Sequence, residues 1–142
     1  MQYENETRVF FASKSENERF ARLFVTGFLT PLDPTVSEIT EIKTAVSEAV
    51  TNAIIHGYAE QIGNVELFCA YKENKIYLEV ADNGSGIENI TLAREPLYTS
   101  KPDMERSGMG FTIMEAFMDY IRIESEAGNG TRIFMEKTLI KE

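Results

Sequence analysis

Cysteine, positive charge and long apolar runs are what this sequence has little of. Its 142 residues include one cysteine, Cys69, so no disulfide closes within the chain and no cysteine-rich metal site forms. The 14 basic side chains are outnumbered by 23 acidic ones, for a net charge of −9. That balance argues against non-specific binding to nucleic acid or to an anionic membrane. No run reaches the roughly 18 apolar residues that spanning a bilayer requires, and the opening "MQYENETRVF" does not read as a secretory signal. The expectation is a cytoplasmic location. Two nucleotide signatures are also missing: no GxxxxGK[ST] occurs, and no GxGxxG opens a βαβ unit.

What is present is an ordinary globular composition, 43% hydrophobic and 26% charged, expected to form one domain over residues 1–142. "TRVFFA" at 7–12 reads as a short strand. Ser13 or Ser15 is placed to cap a helix running to about Leu29, with Phe20, Leu23, Phe24 and Phe28 at helical spacing. Pro31 and Pro34 break the chain. A long helix follows. Thr35 and Glu38 have the spacing of a capping box, and Ile39, Ile42, Val46, Ala49, Val50, Ala53 and Ile54 form its apolar face up to Gly57. Residues 64–71 and 75–81 suggest one hairpin, and "YIRIESE" with "GTRIFMEKT" around "AGNG" a second; "GMGFTIMEAFMD" at 108–119 resumes a helical pattern. Helices and hairpins segregate, which predicts an α+β two-layer sandwich: a mixed, mostly antiparallel sheet covered on one face by helices.

Several residues invite chemistry. Glu48 and Asn52 are four apart and share one helical face. That pair fits a solvent-facing stripe. It also fits an amide oxygen holding Mg²⁺ beside phosphates, with a carboxylate one turn earlier to orient or deprotonate a hydroxyl. His56 reads as a cap or packing residue rather than a ligand. "DNGSGI" follows a strand; Asp82 there suits an exocyclic base amine, and Gly84 and Gly86 permit close approach of a purine, though such a turn is common. Gly108 and Gly110 open a helix whose free N–H groups suit phosphate. Gly128 and Gly130 read as hairpin glycines, with Thr131 at the strand start facing a possible nucleotide.

The order of these elements, together with "ENERFAR", "LDPTVSEITEIKTAVSEAVTNAIIHGY" and "TSKPDMERSGMGFTIMEAFMD", resembles the nucleotide-binding superfamily shared by gyrase, histidine kinases and MutL. Within it, the chain resembles the short serine-kinase branch, the anti-sigma factors of sporulating bacilli. The resemblance covers nearly the whole chain and implies a Bergerat-type ATP-binding fold with ATP and Mg²⁺ as ligands. It implies Glu48 as general base, Asn52 as Mg²⁺ ligand, Asp82 on the adenine amine, and Gly84 and Gly86 shaping that pocket. Residues 88–107 would be a lid, with Arg106 and more weakly Lys101 near the terminal phosphate, Gly108 and Gly110 supporting the phosphates, and Thr131 closing the adenine side. The implied partners are sigma factor F, an anti-anti-sigma protein phosphorylated on serine, and a second copy of the chain; Arg22 of "FAR" is a candidate partner contact, beside Arg19 on the same helix side. A general-stress anti-sigma kinase and a nucleotide-dependent binding module without transferase activity are the alternatives. A sensor histidine-kinase module would need a dimerising helical region with its own phosphorylatable histidine.

Overall fold

A computed structural model describes residues 2–57, 62–84, 110–125 and 128–140. In chain order it comprises β1 (Asn5–Ala12), α1 (Asn17–Leu29), a 3₁₀ turn (Thr30–Leu32), α2 (Val36–Asn52), a π turn (Ala53–Gly57), β2 (Asn64–Lys72), β3 (Lys75–Asp82), α3 (Gly110–Phe117), β4 (Tyr120–Ser125) and β5 (Thr131–Thr138). The strands form one five-stranded sheet in the order β1-β2-β3-β5-β4. Every pairing among the described residues is antiparallel, so the sheet is more uniform than the mixed one expected. Both hairpins form where the turn chemistry placed them; Glu73 turns the first with a φ of 56°.

Strand alternation decides the core. Val65, Leu67, Cys69 and Tyr71 of β2, Ile76, Leu78 and Val80 of β3, and Ile133 and Met135 of β5 share the face that the helices cover. They meet Ala21, Val25 and Leu29 of α1, Ile42, Ala45, Val46, Ala49 and Val50 of α2, and Phe111 and Met114 of α3. Each fully buried Leu, Ile or Met there contributes about 1.5–3 kcal/mol. The opposite face has no helix among the described residues and is roofed by its own long side chains. Arg8, Phe68, Glu79, Phe134 and Arg122 stand in register across all five strands. The Arg8 guanidinium lies 4.6 Å from the Phe68 ring and that of Arg122 lies 4.2 Å from Phe134, while Arg132 pairs with Glu79 and Arg8 with Glu66. These stems shield apolar rings and keep the charges wet.

The start of α1 differs from expectation. Its N-cap is Glu16, without a side-chain cap. Ser13 is instead buried and bridges to the start of β2: its N–H donates to the Gly63 carbonyl at 2.9 Å and its Oγ accepts from Gly63 N–H at 2.9 Å. Extending the β1–β2 pairing wins over capping because both backbone groups are satisfied together. The apolar stripe of α1 is also shifted. Phe20 and Leu23 are exposed, at 41% and 66%, while small Ala21 meets the core with Val25 and Leu29. Phe24 and Phe28 pack only partly.

The capping box of α2 forms as the spacing predicts. Glu38 N–H donates to Thr35 Oγ1 at 3.0 Å, and Thr35 N–H donates back to the Glu38 carboxylate at 2.9 Å. No helix among the described residues is long and apolar enough to cross a membrane.

Candidate nucleotide site at the end of the sheet

The period-two pattern Ile76, Leu78, Val80 continues to Asp82, so the strand itself carries a carboxylate onto the helix-covered face. Asp82 is 6% exposed. Register places Thr131 of β5 beside it, and Ser125 of β4 beside Thr131. Thr131 is buried too. Asp82 Oδ1 accepts the Gly84 N–H at 2.9 Å. Burial pushes the Asp82 carboxyl above its usual range, opposed by hydrogen bonds from the Gly84 and Thr131 backbone N–H groups. Ser125 Oγ lies 2.8 Å from Thr131 Oγ1 and 3.0 Å from the Gly130 carbonyl oxygen.

Gly130 is as much part of this end as Asp82. Its φ is 84°, and a Cβ there would sit 2.1 Å from the Asp82 carbonyl oxygen and 2.8 Å from Asn83 Cα. Only a residue without a side chain lets the β4–β5 turn approach β3 so closely. Gly128 has the same φ but open space around it. A cleft of about 310 Å³ at these strand ends is lined by Asp82, Asn83, Ser125, Asn129, Gly130 and Thr131, among others.

The long helix delivers its polar stripe to the same end. Glu48 and Asn52 are half-buried at the border of the Ala45–Ala49 face, which departs from a purely solvent-facing stripe. The helix is fixed axially at its far end. The Glu38 carboxylate accepts the Ile140 N–H at 2.8 Å, just beyond β5. From Glu38 to Asn52 the helical rise is about 21 Å; from Thr131 to Thr138 the strand rise is about 24 Å. Matching lengths therefore set the C-terminal end of α2 near the Asp82 end of the sheet, and both α2 and the π turn touch β3. At Ala53 the helix widens into that π turn, a distortion that recurs at functional sites.

Gly110 is the first described residue of α3, which packs along α2. Gly86, Lys101, Arg106 and Gly108, with the 88–107 loop, lie outside the described residues, as does the His56 side chain. Among the described residues no group of three or more His, Cys, Asp or Glu side chains could hold a metal. Asn52 is a single amide oxygen, a donor set that suits Mg²⁺ taking its other oxygens from phosphate and water. The Cys69 thiol is pushed up to about 12 by burial and so has no thiolate chemistry at neutral pH. Ser125 was not marked by the sequence pattern, and Gly130 was marked only as a turn glycine. Their signal is the hairpin register, which becomes visible once Thr131 is fixed opposite Asp82.

Comparison with known proteins gives a consistent answer. Residues 11–137 match the histidine kinase-like ATPase domain. The chain is 56% identical over 135 residues to an anti-sigma F factor of Clostridium kluyveri, covering 95% of each. It is 58% identical over 134 residues to that of Clostridium acetobutylicum, covering 94% of each. Its fold is similar to the RsbU and RsbW domains of a Mycobacterium tuberculosis protein, with a TM-score of 0.72 at 20% identity over 97% of this chain and 33% of the other. It is also similar to the catalytic domain of the histidine kinase ThkA, with a TM-score of 0.59 at 17% identity, covering 94% of this chain and 96% of the other.

Proposed function

This chain belongs to the anti-sigma F factors of the histidine kinase-like ATPase family, and from that membership we propose that it is a cytoplasmic, single-domain protein serine kinase. On this reading it sequesters sporulation sigma factor F and phosphorylates a serine of an anti-anti-sigma protein. The observation that carries the ATP site is Asp82, a carboxylate held on the core-facing row at a strand end with Gly130 wedged against its backbone. An acceptor-only group in that place suits the adenine amine.

Phosphoryl transfer depends on positioning and on neutralising charge. The serine Oγ of the acceptor forms a bond to the γ-phosphorus, the bond from that phosphorus to the bridging oxygen of ADP breaks, and the serine proton passes to Glu48. Asn52 would hold Mg²⁺, which when bound spreads positive charge over the β- and γ-phosphates. Gly84 and Gly86 would shape the adenine pocket, and Thr131 would close it. Gly108 and Gly110 would offer backbone N–H groups to the phosphates, and Arg106, with Lys101 as the weaker candidate, would reach the terminal phosphate from the lid.

The test separates binding from chemistry. Glu48→Gln is expected to keep ATP affinity while single-turnover transfer falls about 10²–10⁴-fold. Asn52→Ala is expected to weaken Mg²⁺-dependent ATP binding itself. Normal transfer by both variants would return the pair to a structural role.

A homodimer through β1 is part of the same proposal. β1 is an edge strand, and exposed Phe10, Phe20 and Leu23 lie on it and on the adjoining α1. An uncovered apolar edge invites pairing. Sedimentation at micromolar concentration should give a dimer; a monomer with and without ATP would refute it. Arg22 is the proposed shared contact for both protein partners. Its Nε lies 3.1 Å from Glu18 Oε1 without a hydrogen-bond geometry, and Glu18 also takes the Ser47 hydroxyl of α2. The guanidinium is thus held on α1 with donors to spare. Arg22→Ala should impair binding of both partners and leave ATP affinity intact.

A further inference from the structure

The turn that closes the sheet carries a hydroxyl that the proposed chemistry does not use. Ser125 ends β4 directly opposite Thr131, which begins β5. A carbonyl oxygen can only accept, so the 3.0 Å contact to Gly130 O takes the one Ser125 proton. The 2.8 Å contact between the two hydroxyls is then made by the Thr131 proton, donated to a Ser125 lone pair. Thr131 Oγ1 is left with lone pairs alone. Gly130 sits so close to β3 that a Cβ there would meet Asp82 O and Asn83 Cα. Beside Thr131 in register stands Asp82, whose carboxylate likewise only accepts.

We infer that Ser125 is a specificity-determining positioning residue: by taking the Thr131 proton it makes Asp82 and Thr131 an all-acceptor edge, which selects a purine with an exocyclic amine over one with an exocyclic carbonyl. The inference rests on reading this end of the sheet as the base pocket of a nucleotide site. Without the Ser125 hydroxyl, the Thr131 O–H is free to rotate and donate. A carbonyl then finds a partner where it previously faced only lone pairs, and discrimination falls. A site built to bond one polar group rejects its mismatched analogue because the buried groups are left unpaired.

Calorimetric affinities of the full chain for ATP and for inosine triphosphate, both with Mg²⁺, test this. The two bases differ in amine against carbonyl at one ring carbon and in the adjoining ring proton. The wild-type chain should favour ATP. Ser125→Ala should shrink that preference about three- to tenfold, and Ser125→Thr should restore it. In a Thr131→Val background, Ser125→Ala should change the preference no further, since it acts through the Thr131 hydroxyl. A folded Ser125→Ala with the wild-type ratio overturns the inference, even if affinity for both nucleotides drops together, because a merely structural turn residue would do that. An equal shrinkage in the Thr131→Val background overturns it as well. Should Ser125→Ala not fold, Ser125→Cys, with only a weak S–H donor, is scored by the same ratio. A wild-type chain that binds neither triphosphate refutes the nucleotide site itself.

Discussion

Two carboxylates are buried at opposite ends of the sheet and are held in opposite ways. Glu38, at the end where β5 runs out, caps α2 through Thr35 and takes the Ile140 N–H, so each of its oxygens accepts a backbone donor. Lys137 adds positive charge nearby, and the Glu38 carboxyl is held below the usual carboxylate range, first by the Thr35 backbone hydrogen bond and then by that from Ile140. Asp82, at the other end, takes backbone hydrogen bonds from Gly84 and Thr131, yet burial outweighs them and pushes its carboxyl up. Glu38 closes the fold, whereas Asp82 retains accepting capacity that a ligand donor would use. Burial of a carboxylate alone therefore does not separate the two; the balance between burial and bound donors does.

The sharpest way to break the Asp82 end is through Gly130. Gly130→Ala must fit a Cβ into the Asp82 carbonyl at a left-handed φ, and it is expected to cost about 3 kcal/mol or more. Thermal unfolding and ATP titration should both register the loss. Asp82→Asn should separate ligand from fold: a misplaced amide donor weakens ATP binding by about 1–3 kcal/mol, while circular dichroism shows an intact protein. Wild-type ATP affinity in that variant would end the adenine assignment.

Glu38→Gln should do the reverse, lowering stability by about 1–3 kcal/mol with ATP affinity little changed. The pH dependence follows with opposite signs. The Glu38 contribution is fully present above its unfolded pKa and is lost as pH falls through the lowered folded value. Asp82, with a raised folded pKa, favours the ligand-free fold at low pH, and that contribution is lost as pH rises through the folded value. Denaturant midpoints of the two variants between about pH 3 and 7 should converge on wild type in acid from opposite sides: from below for Glu38→Gln, which lacks the stabilising carboxylate, and from above for Asp82→Asn, which lacks the buried charge. Gly128→Ala is the mild control. It shares the φ of Gly130 without the contact and should cost about 1 kcal/mol; a loss matching that of Gly130→Ala would mean that strain, not close approach, governs the turn.

Much of this was legible beforehand, and particular residues show why. Thr35 and Glu38 announced the start of α2 because a capping box is local. The α2 face from Ile39 to Ile54 was readable from its period. What escaped was non-local. The "ENERFARLF" stripe suggests that Phe20 and Leu23 point inward, but α1 carries more apolar positions than one face can bury, and Ala21 is fully buried in their place. Ser13 resembled a cap, yet fifty residues later Gly63 offered it a partner on each backbone group. Asp82 and Thr131 could be nominated as candidate nucleotide contacts from the sequence, but their adjacency could not.

By itself the sequence determined the helical and strand periods, the caps, the turns and the family, because each depends on spacing within a short window or on a long stretch of matched residues. The tertiary structure decided the β1-β2-β3-β5-β4 order. That order places β5 against β3, sets Thr131 beside Asp82 and Ser125 beside Thr131, and forces Gly130 into the backbone of Asp82. Strand order and register are set by which pairings bury a common face, and that quantity exists only when distant segments meet.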